Sequence, residues 1–281
     1  VSAPRLGRAF AAHNFAGVIG FGTSPILVGT IAAVAGWRPA LVTAGAIGLA
    51  VALALLASRT HLATAAARRE EAHRQKGRAG EASFARIVAM PVVLLAFAYF
   101  VLTAFAGAGI QSFAIAALGE GYGATLAFAT LAVAAYQLAN AAGSLFGGYL
   151  ADRGEHHHRI AMTGLALAAL MVGTAAQPGL SLPLVTALLA GAGFANGATA
   201  PSRDVLVRRA APDRGVGKVF GIVYSGFDVG NLLAPLAYGA VLDRHAPNLV
   251  FALTAAALAM AIFTVLGVGA RTRVEARPVS R

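Results

Sequence analysis

Long runs of residues without a charge alternate with short basic connections along the whole chain. The first run lies between Arg8 and Arg38, and further runs cover residues 39–58, 87–119 and 121–151. Each run is long enough for an α-helix of ~20 residues to cross a hydrocarbon core of ~30 Å. None of them alternates apolar and polar residues as the strands of a membrane barrel do. The pattern predicts four membrane-spanning helices in this part of the chain.

The remainder of the chain contains three more runs without a charge. The run over residues 160–202 is too long for one crossing, and residues 177–183 carry the glycine and prolines of a turn. This run therefore predicts two helices. Residues 219–242 and 245–270 add one helix each. The sequence predicts an all-α membrane protein with eight spans.

Composition and charge agree with an integral membrane protein and exclude a water-soluble one. Hydrophobic residues make up 58% of the chain and charged residues 12%, against about a quarter in ordinary soluble domains. All basic residues except Arg38 and Arg244 fall on connections at one side of the predicted membrane. Because basic residues collect on the cytoplasmic side, we expect cytoplasmic termini in a plasma or bacterial inner membrane. The net charge of +11 is thereby explained without a nucleic-acid partner.

The first and seventh spans of this set match each other at a spacing of 210 residues. The coinciding residues are Gly7, Phe10, Gly20, Pro25 and Gly29 with Gly217, Phe220, Gly230, Pro235 and Gly239. At roughly 30 to 35 residues per helix and connection, this spacing equals six spans, which predicts two six-helix halves related by a pseudo-twofold axis. Eight of twelve expected helices then lie in this sequence, and four are expected before Val1.

The repeat predicts a division of the chain into four segments. They are the last two helices of the first half (residues 1–58), a basic cytoplasmic linker (59–86), the second half (87–270) and a cytoplasmic tail (271–281).

The connection between the fourth and fifth predicted spans carries the segment Gly-Tyr-Leu-Ala-Asp-Arg at residues 148–153. This segment resembles the G-x-x-x-D-R signature of the major facilitator superfamily, which lies between the second and third helices of a half. The resemblance implies a helical bundle that transports by alternating access, with Gly148, Asp152 and Arg153 in a cytoplasmic latch. Asp152 alternatively caps the start of the next helix.

A set of helix-packing residues in the first span is similar to the glycine-rich signature in the fifth helix of the superfamily's antiporters. Its members are Gly20, Gly22, Pro25 and Gly29. Small residues allow two membrane helices to approach closely, so we expect the motif to lie at a helix contact. The resemblance implies an antiporter that exports drug-like compounds.

Ionisable residues inside a span are costly in lipid and are candidates for function. Asp228 is the leading candidate, an acid about 15 Å of helix rise from Lys218 and therefore near the middle of the bilayer. Tyr224, Asp228 and Asn231 share one helix face. We expect this stripe to line a substrate or proton pathway; the alternative is a packing hydrogen bond to a neighbouring helix.

Two further spans carry polar residues at helical spacing. One holds Gln137 and Asn140, and the other holds Asn196 and Arg203. Both pairs are candidates for the substrate path, and the alternative is hydrogen bonding that holds helices together. Arg203 alternatively extends to the cytoplasmic interface, since it precedes Arg208 by five residues.

Other kinds of chemistry find no support in the sequence. It contains no cysteine, no P-loop and no dinucleotide-binding motif. No Ser/His/Asp set lies at membrane depth, and we expect His156, His157 and His158 in a solvated loop rather than at a metal. The chain is predicted not to be an enzyme and to use no cofactor or metal, with a proton or other ion gradient as its energy source.

The predicted function is secondary active transport of small molecules, in the form of proton-coupled efflux of drug-like compounds. The alternative within the superfamily is an importer of organic anions. An alternative of another class is a non-transporting membrane sensor or scaffold whose loop at residues 59–86 recruits a partner. The expected partners are the lipid bilayer and a small-molecule substrate, and we expect a monomer.

Overall fold

The computed structural model describes residues 6–58, 87–153, 156–210 and 216–275, which are almost entirely helical and include no strand. These residues form nine α-helices and one π-helical turn. They are α1 (Leu6–Ala35), α2 (Trp37–Ala57), α3 (Pro91–Ala108), the π turn (Gly109–Phe113), α4 (Ala114–Tyr122), α5 (Leu126–Arg153), α6 (His157–Ala175), α7 (Leu182–Ala210), α8 (Val216–Leu242) and α9 (Asn248–Glu275).

Seven stretches of the described residues are long and apolar enough to cross a membrane, with mean hydropathies from 1.3 to 2.5. They coincide with the second to the eighth predicted span, and α3, the π turn and α4 together form one of them. The first predicted span coincides with the continuous 30-residue helix α1, which is not among these seven stretches, so its crossing of the membrane stays a prediction. Its length of about 45 Å exceeds the ~30 Å hydrocarbon core. The prediction of an all-α membrane bundle is confirmed.

Short connections join successive helices where the sequence predicted them. The predicted turn within residues 160–202 is present, because α6 ends at Ala175 and α7 begins at Leu182. Gly179 in this turn has a φ of 82°. Gly36, the single residue between α1 and α2, has a φ of 89°. Glycine has no Cβ to clash in this left-handed region, which allows both tight reversals.

The described residues fall into two compact units. One contains residues 6–19 and the described residues from 87 to 275, and the other contains Gly20 to Ser58. In the second unit, α2 buries Ala40 and leaves most of its apolar side chains exposed. The predicted linker at residues 59–86 lies outside the described residues. The assignment of residues 1–58 to the first six-helix half stays a prediction.

In the first unit, α5 and α7 pack through glycines on both helices. A Cβ at Gly143 or Gly147 of α5 would collide with backbone carbonyl oxygens of α7. A Cβ at Gly193 or Gly197 of α7 would collide with backbone carbonyl oxygens of α5. Small residues four apart let two membrane helices touch backbone to backbone. This reciprocal contact makes α5 and α7 a closely packed pair.

Helix α8 packs against α3 in the same way. A Cβ at Gly226 would lie 2.7 Å from the carbonyl oxygen of Phe97, and one at Gly230 would collide with that of Val101. The α3–α8 contact therefore uses the face of α8 that carries Gly226 and Gly230. The buried core beside it is aromatic and aliphatic and includes Phe100.

Helix α7 is longer than the charge-free run that predicted it. That run ends at residue 202, whereas the helix continues to Ala210 and includes Arg203 and Asp204. Arg203 Nε lies 2.9 Å from Asp204 Oδ1, so the two charges neutralise each other inside the bundle. Val205 and Val207 are buried and continue the apolar face of the helix. The pair therefore does not end the helix.

The predicted helix over residues 87–119 is interrupted by the π turn at Gly109–Phe113. A Cβ at Gly109 would collide with Thr254 and Tyr238, whose hydroxyl oxygens lie 3.1 Å apart. The helical path resumes as α4 and ends at Tyr122. The π turn brings the Gly109 backbone against this buried hydroxyl pair.

The expectation that all three consecutive histidines are solvated is wrong for one of them. Helix α6 begins at His157, and that side chain is 2% exposed. His156 precedes the helix and is exposed. Successive residues of a helix point about 100° apart, so one of three neighbours in the first turn faces the bundle.

Candidate functional site

A fully buried carboxylate joins three helices of the first unit. Asp204 on α7 is 0% exposed. Its Oδ2 accepts a hydrogen bond from Asn14 Nδ2 of α1 at 3.0 Å, and its Oδ1 accepts one from the Tyr224 hydroxyl of α8 at 3.1 Å. Arg203 Nε donates to the same Oδ1 at 2.9 Å. A buried charge needs such partners, and here they come from α1, α7 and α8.

The guanidinium of Arg203 packs between aromatic rings. Its central carbon lies 4.6 Å from the ring centre of Phe100 on α3 and 5.7 Å from that of Phe227 on α8. The side chain is 11% exposed. Asp204 and the ring faces compensate the burial of this cation. The alternative in which Arg203 extends to the membrane interface stays a prediction.

The buried network extends to Tyr99 of α3, whose hydroxyl lies 3.5 Å from Thr199 Oγ1. A cavity of about 30 Å³ adjoins Tyr99 and Arg203 and is lined mainly by apolar side chains such as Val92 and Val265. This volume holds about one water molecule, whereas ligand pockets measure about 300–1,000 Å³. The cavity is therefore too small to be a substrate site.

The predicted polar stripe of α8 begins at Tyr224, whose ring lies 4.7 Å from that of Phe100 on α3. One turn before it, the ring of Phe220 stacks on Phe10 of α1 with a centroid distance of 6.2 Å. One turn later Tyr224 binds Asp204. Asp228 and Asn231 follow and are both exposed. The stripe is thus covered by other side chains up to Tyr224 and uncovered from Asp228 onward.

Asp228 differs from the buried acid Asp204 in its position along the span and in its contacts. It lies near the middle of the 26-residue span Gly217–Leu242. No side chain among the described residues forms a hydrogen bond or ion pair with its carboxylate. Asp204, in contrast, lies near one end of its span and has three donors. Asp228 is therefore a described acid at membrane depth whose carboxylate has no donor among the described residues.

The predicted polar residues of α5 and α7 have a different environment. Asn196 Nδ2 lies 3.4 Å from the hydroxyl of Tyr136, which is buried. The Thr199 hydroxyl donates to the Asn196 carbonyl at 2.7 Å. Asn140 also lies within hydrogen-bonding reach of Tyr136, and Gln137 is half-buried. These contacts favour the helix-packing alternative for Asn140 and Asn196.

The predicted latch residues lie at the last turn of α5. Asp152 accepts hydrogen bonds from the Arg8 backbone N–H at 3.4 Å and from Arg8 Nε at 2.5 Å. Arg153 stacks over the ring of Tyr149 at 4.0 Å, and Gly148 is buried. Asp152 does not cap α6, because α6 begins five residues later with His156 at the capping position. Asp152 instead ties α5 to α1.

The first member of the glycine motif of α1 is Gly20. Among the residues that the structure describes, none lies within 4 Å of a Cβ placed on it. The side-chain positions of Gly22, Pro25 and Gly29 lie outside the described residues. The helix-packing role of this motif stays a prediction.

Sequence reasoning missed Asp204 and Asn14. Asp204 directly follows Arg203, and two adjacent charges along a sequence are typical of the end of a span. A usable signal was present, since a neutral Arg-Asp pair is followed by the apolar residues Val205, Leu206 and Val207. Asn14 is an amide inside a charge-free run, as Asn231 is, and a polar residue in such a position is a candidate for function.

The seven apolar stretches define a multi-pass integral membrane protein. The family model of the Major Facilitator Superfamily matches residues 95–281, which is more than half of the chain. The chain belongs to the Major Facilitator Superfamily, a family of membrane transporters. No curated protein matches the sequence.

Proposed function

We propose that this transporter exports small drug-like molecules in exchange for protons, by alternating access. The observation that carries the proposal is the exposed, unpartnered Asp228 near the middle of its span. A charge at the centre of a membrane helix costs about 2.5–3.5 kcal/mol. Binding a proton removes that charge, so the protonation of Asp228 is a direct means of coupling a proton gradient to a change of state.

The surroundings of Asp228 support a coupling role. Tyr224 lies one helical turn before Asp228 and donates to Asp204, which also binds Asn14 of α1. Any movement of α1 away from α7 and α8 must break the bond between Asn14 and Asp204. Asp228, the proposed proton-binding acid, is thus one helical turn from Tyr224. Tyr224 binds Asp204, whose bond to Asn14 has to break.

The same end of the bundle supplies the proposed latch. Arg8 binds Asp152, and Phe10 stacks on Phe220 in addition to the Asn14–Asp204 bond. If α1 belongs to the first six-helix half, as the repeat predicts, these contacts join the two halves on the cytoplasmic side. They must then break when the transporter opens to the cytoplasm. We place both termini on this side of a plasma or bacterial inner membrane, in a monomer energised by an ion gradient alone.

The alternative of an organic-anion importer finds less support. It requires a cation that is free to bind the substrate, and both Arg203 and Arg38 have other contacts. Arg203 is neutralised by Asp204, and Arg38 stacks over the ring of Trp37 at 4.7 Å. Nothing in the described residues favours the sensor alternative, whose loop at residues 59–86 lies outside them.

The proposal is tested by transport into inside-out membrane vesicles under an imposed pH gradient. Ethidium serves as a drug-like probe and fluorescein as an anionic one. We expect ethidium accumulation that depends on the gradient, and its loss in the variant D228N. The matched control is D243N, which makes the same change at an exposed acid in the connection after α8.

Two results would overturn the proposal. One is full gradient-driven accumulation by D228N when membrane insertion is unchanged. The other is accumulation of fluorescein without ethidium, which would instead support the anion transporter.

A further inference from the structure

The span that begins with α3 contains one residue more than a regular α-helix would hold. The π turn at Gly109–Phe113 separates α3 from α4. A π turn closes its hydrogen bonds over five residues instead of four, so it takes up one extra residue. Since π-helical geometry is rare and occurs mostly at functional sites, contacts with the rest of the protein must hold this turn in place.

Tyr238 of α8 is buried against the π turn and stacks with two aromatic rings. Phe105 stacks on it with a centroid distance of 4.7 Å, and Phe113 with one of 5.4 Å. Tyr238 is 0% exposed, and its hydroxyl oxygen lies 3.1 Å from that of Thr254 on α9. The Thr254 hydroxyl donates its one proton to the Val250 carbonyl, so Tyr238 is the donor to Thr254.

The spacing of the two phenylalanines requires the extra residue. Eight residues of α-helix turn through about 800°, which would leave Phe113 about 80° away from the face of Phe105. Once the π turn has taken up one residue, seven α-helical steps remain, and their about 700° bring both rings to within about 20° of one face. The two rings are then about 10 Å apart along the axis, so they take opposite faces of Tyr238. This ring sandwich therefore forms only when the π turn is present.

We propose that the π turn is one state of a two-state switch that Tyr238 locks. In the other state the extra residue joins a regular helix, which turns α4 by about 100° relative to α3 and advances it by about 1.5 Å. Gly123 ends α4 with a φ of 64°, and no described residue lies within 4 Å of a Cβ placed on it, so the chain has room for this change. The inference does not use Asp228 and is independent of proton exchange.

Helix α4 carries contacts that fasten the end of this span to its neighbours. Glu120 Oε1 lies 2.7 Å from Nδ1 of His245, in the connection after α8. The Tyr122 hydroxyl donates to the Gln177 carbonyl at 3.1 Å, in the turn after α6. A turn of about 100° takes both side chains away from their partners. The switch therefore couples the ring sandwich to the docking of α4 on these two connections.

Cysteine labelling tests the proposal, because the two states expose different residues of α4. Ala116 is exposed, and Ile115 is half-buried. A turn by one residue places Ile115 where Ala116 now lies, and Ala116 where Ala117 now lies, which is 0% exposed. In the purified full-length protein, maleimide should therefore label A116C faster than I115C.

Variants of the lock should exchange the two labelling rates. Y238L removes the ring, and we expect A116C to be labelled about tenfold more slowly and I115C about tenfold faster, because labelling of a buried position requires local opening. F113L removes one of the stacked rings and should change both rates in the same directions. Y238F keeps the sandwich and should be labelled like the parent protein.

Deletion of Ser112, which lies in the π turn, supplies the matched control. The deletion removes the extra residue, so a regular helix holds α4 in its present orientation. Adding Y238L to the deletion should leave both labelling rates unchanged. The proposal is overturned if Y238L and F113L speed labelling at both positions, if they change neither rate, or if their effect persists in the deletion variant. Circular dichroism and gel filtration show which variants remain folded.

Discussion

Replacing Asp204 with asparagine keeps the shape of the side chain and removes the charge that neutralises Arg203. The Arg203 side chain is 11% exposed, so the variant D204N leaves a buried cation without its counter-ion. Removing one partner of a buried ion pair costs about 3–5 kcal/mol. The stacking of Arg203 on Phe100 and Phe227 is present in both proteins and does not reduce this difference.

Hydrogen bonding adds to the loss in D204N. Asn14 and Tyr224 donate to different oxygens of the Asp204 carboxylate. An amide has only one acceptor oxygen, so one of the two donors also loses its partner. We therefore expect the unfolding equilibrium to shift toward the unfolded state by a factor between about 10² and 10⁴, which corresponds to 3–5 kcal/mol.

The assay is unfolding by increasing mole fraction of dodecyl sulfate in mixed micelles, followed by helical circular dichroism. The double variant R203M/D204N is the matched control, because it removes both charges and leaves none unpaired. Replacing a buried pair by neutral side chains is often neutral, so the double variant should recover most of the stability. Parent-like stability of D204N, or a double variant no more stable than the single one, would refute the reasoning.

Three further predictions concern packing and the proposed latch. G197L should destabilise the protein by about 1–3 kcal/mol or prevent folding, because leucine collides with the α5 backbone. The control variant G20A should stay within about 0.5 kcal/mol of the parent protein. Equal unfolding curves for G197L and G20A would contradict this prediction. D152N weakens the bond between Arg8 and Asp152 and should speed maleimide labelling of a single cysteine introduced at the adjoining end of α8. The parent sequence contains no cysteine, so only this residue is labelled. An unchanged labelling rate would argue against the latch. Y224F removes a hydrogen bond to a carboxylate and should cost about 1.5–3 kcal/mol in the same unfolding assay, and no loss would contradict the buried network.

The positions of the helices were predictable because the bilayer imposes a simple requirement. About 20 residues without a charge are needed for each crossing, which located the spans, and the glycine and prolines of residues 177–183 located the turn. The end of α7 does not follow from this requirement. Arg203 and Asp204 count as two charges along the sequence, although they form an ion pair inside the bundle. The π turn at Gly109–Phe113 packs against Tyr238 and Thr254 from other helices, and no local sequence pattern predicts such a contact.

The candidate site was predictable to the extent that it lies on one helix. Tyr224, Asp228 and Asn231 share a face of α8 by their spacing alone, and the structure keeps them there. The partners of Asp204 come from three helices, and sequence spacing carries no information on how those helices pack. This is why the buried network around Asp204 and Asn14 emerged only from the structure.

The central claim is that Asp228 couples protons to transport, and proton movement caused by the substrate tests it most directly. The parent protein and D228N are reconstituted into liposomes that contain a pH-sensitive dye, with no gradient imposed, and ethidium is added outside. The parent protein is predicted to move protons across the membrane in the direction opposite to ethidium, and D228N is predicted to move none. Equal proton movement by both proteins would contradict the account.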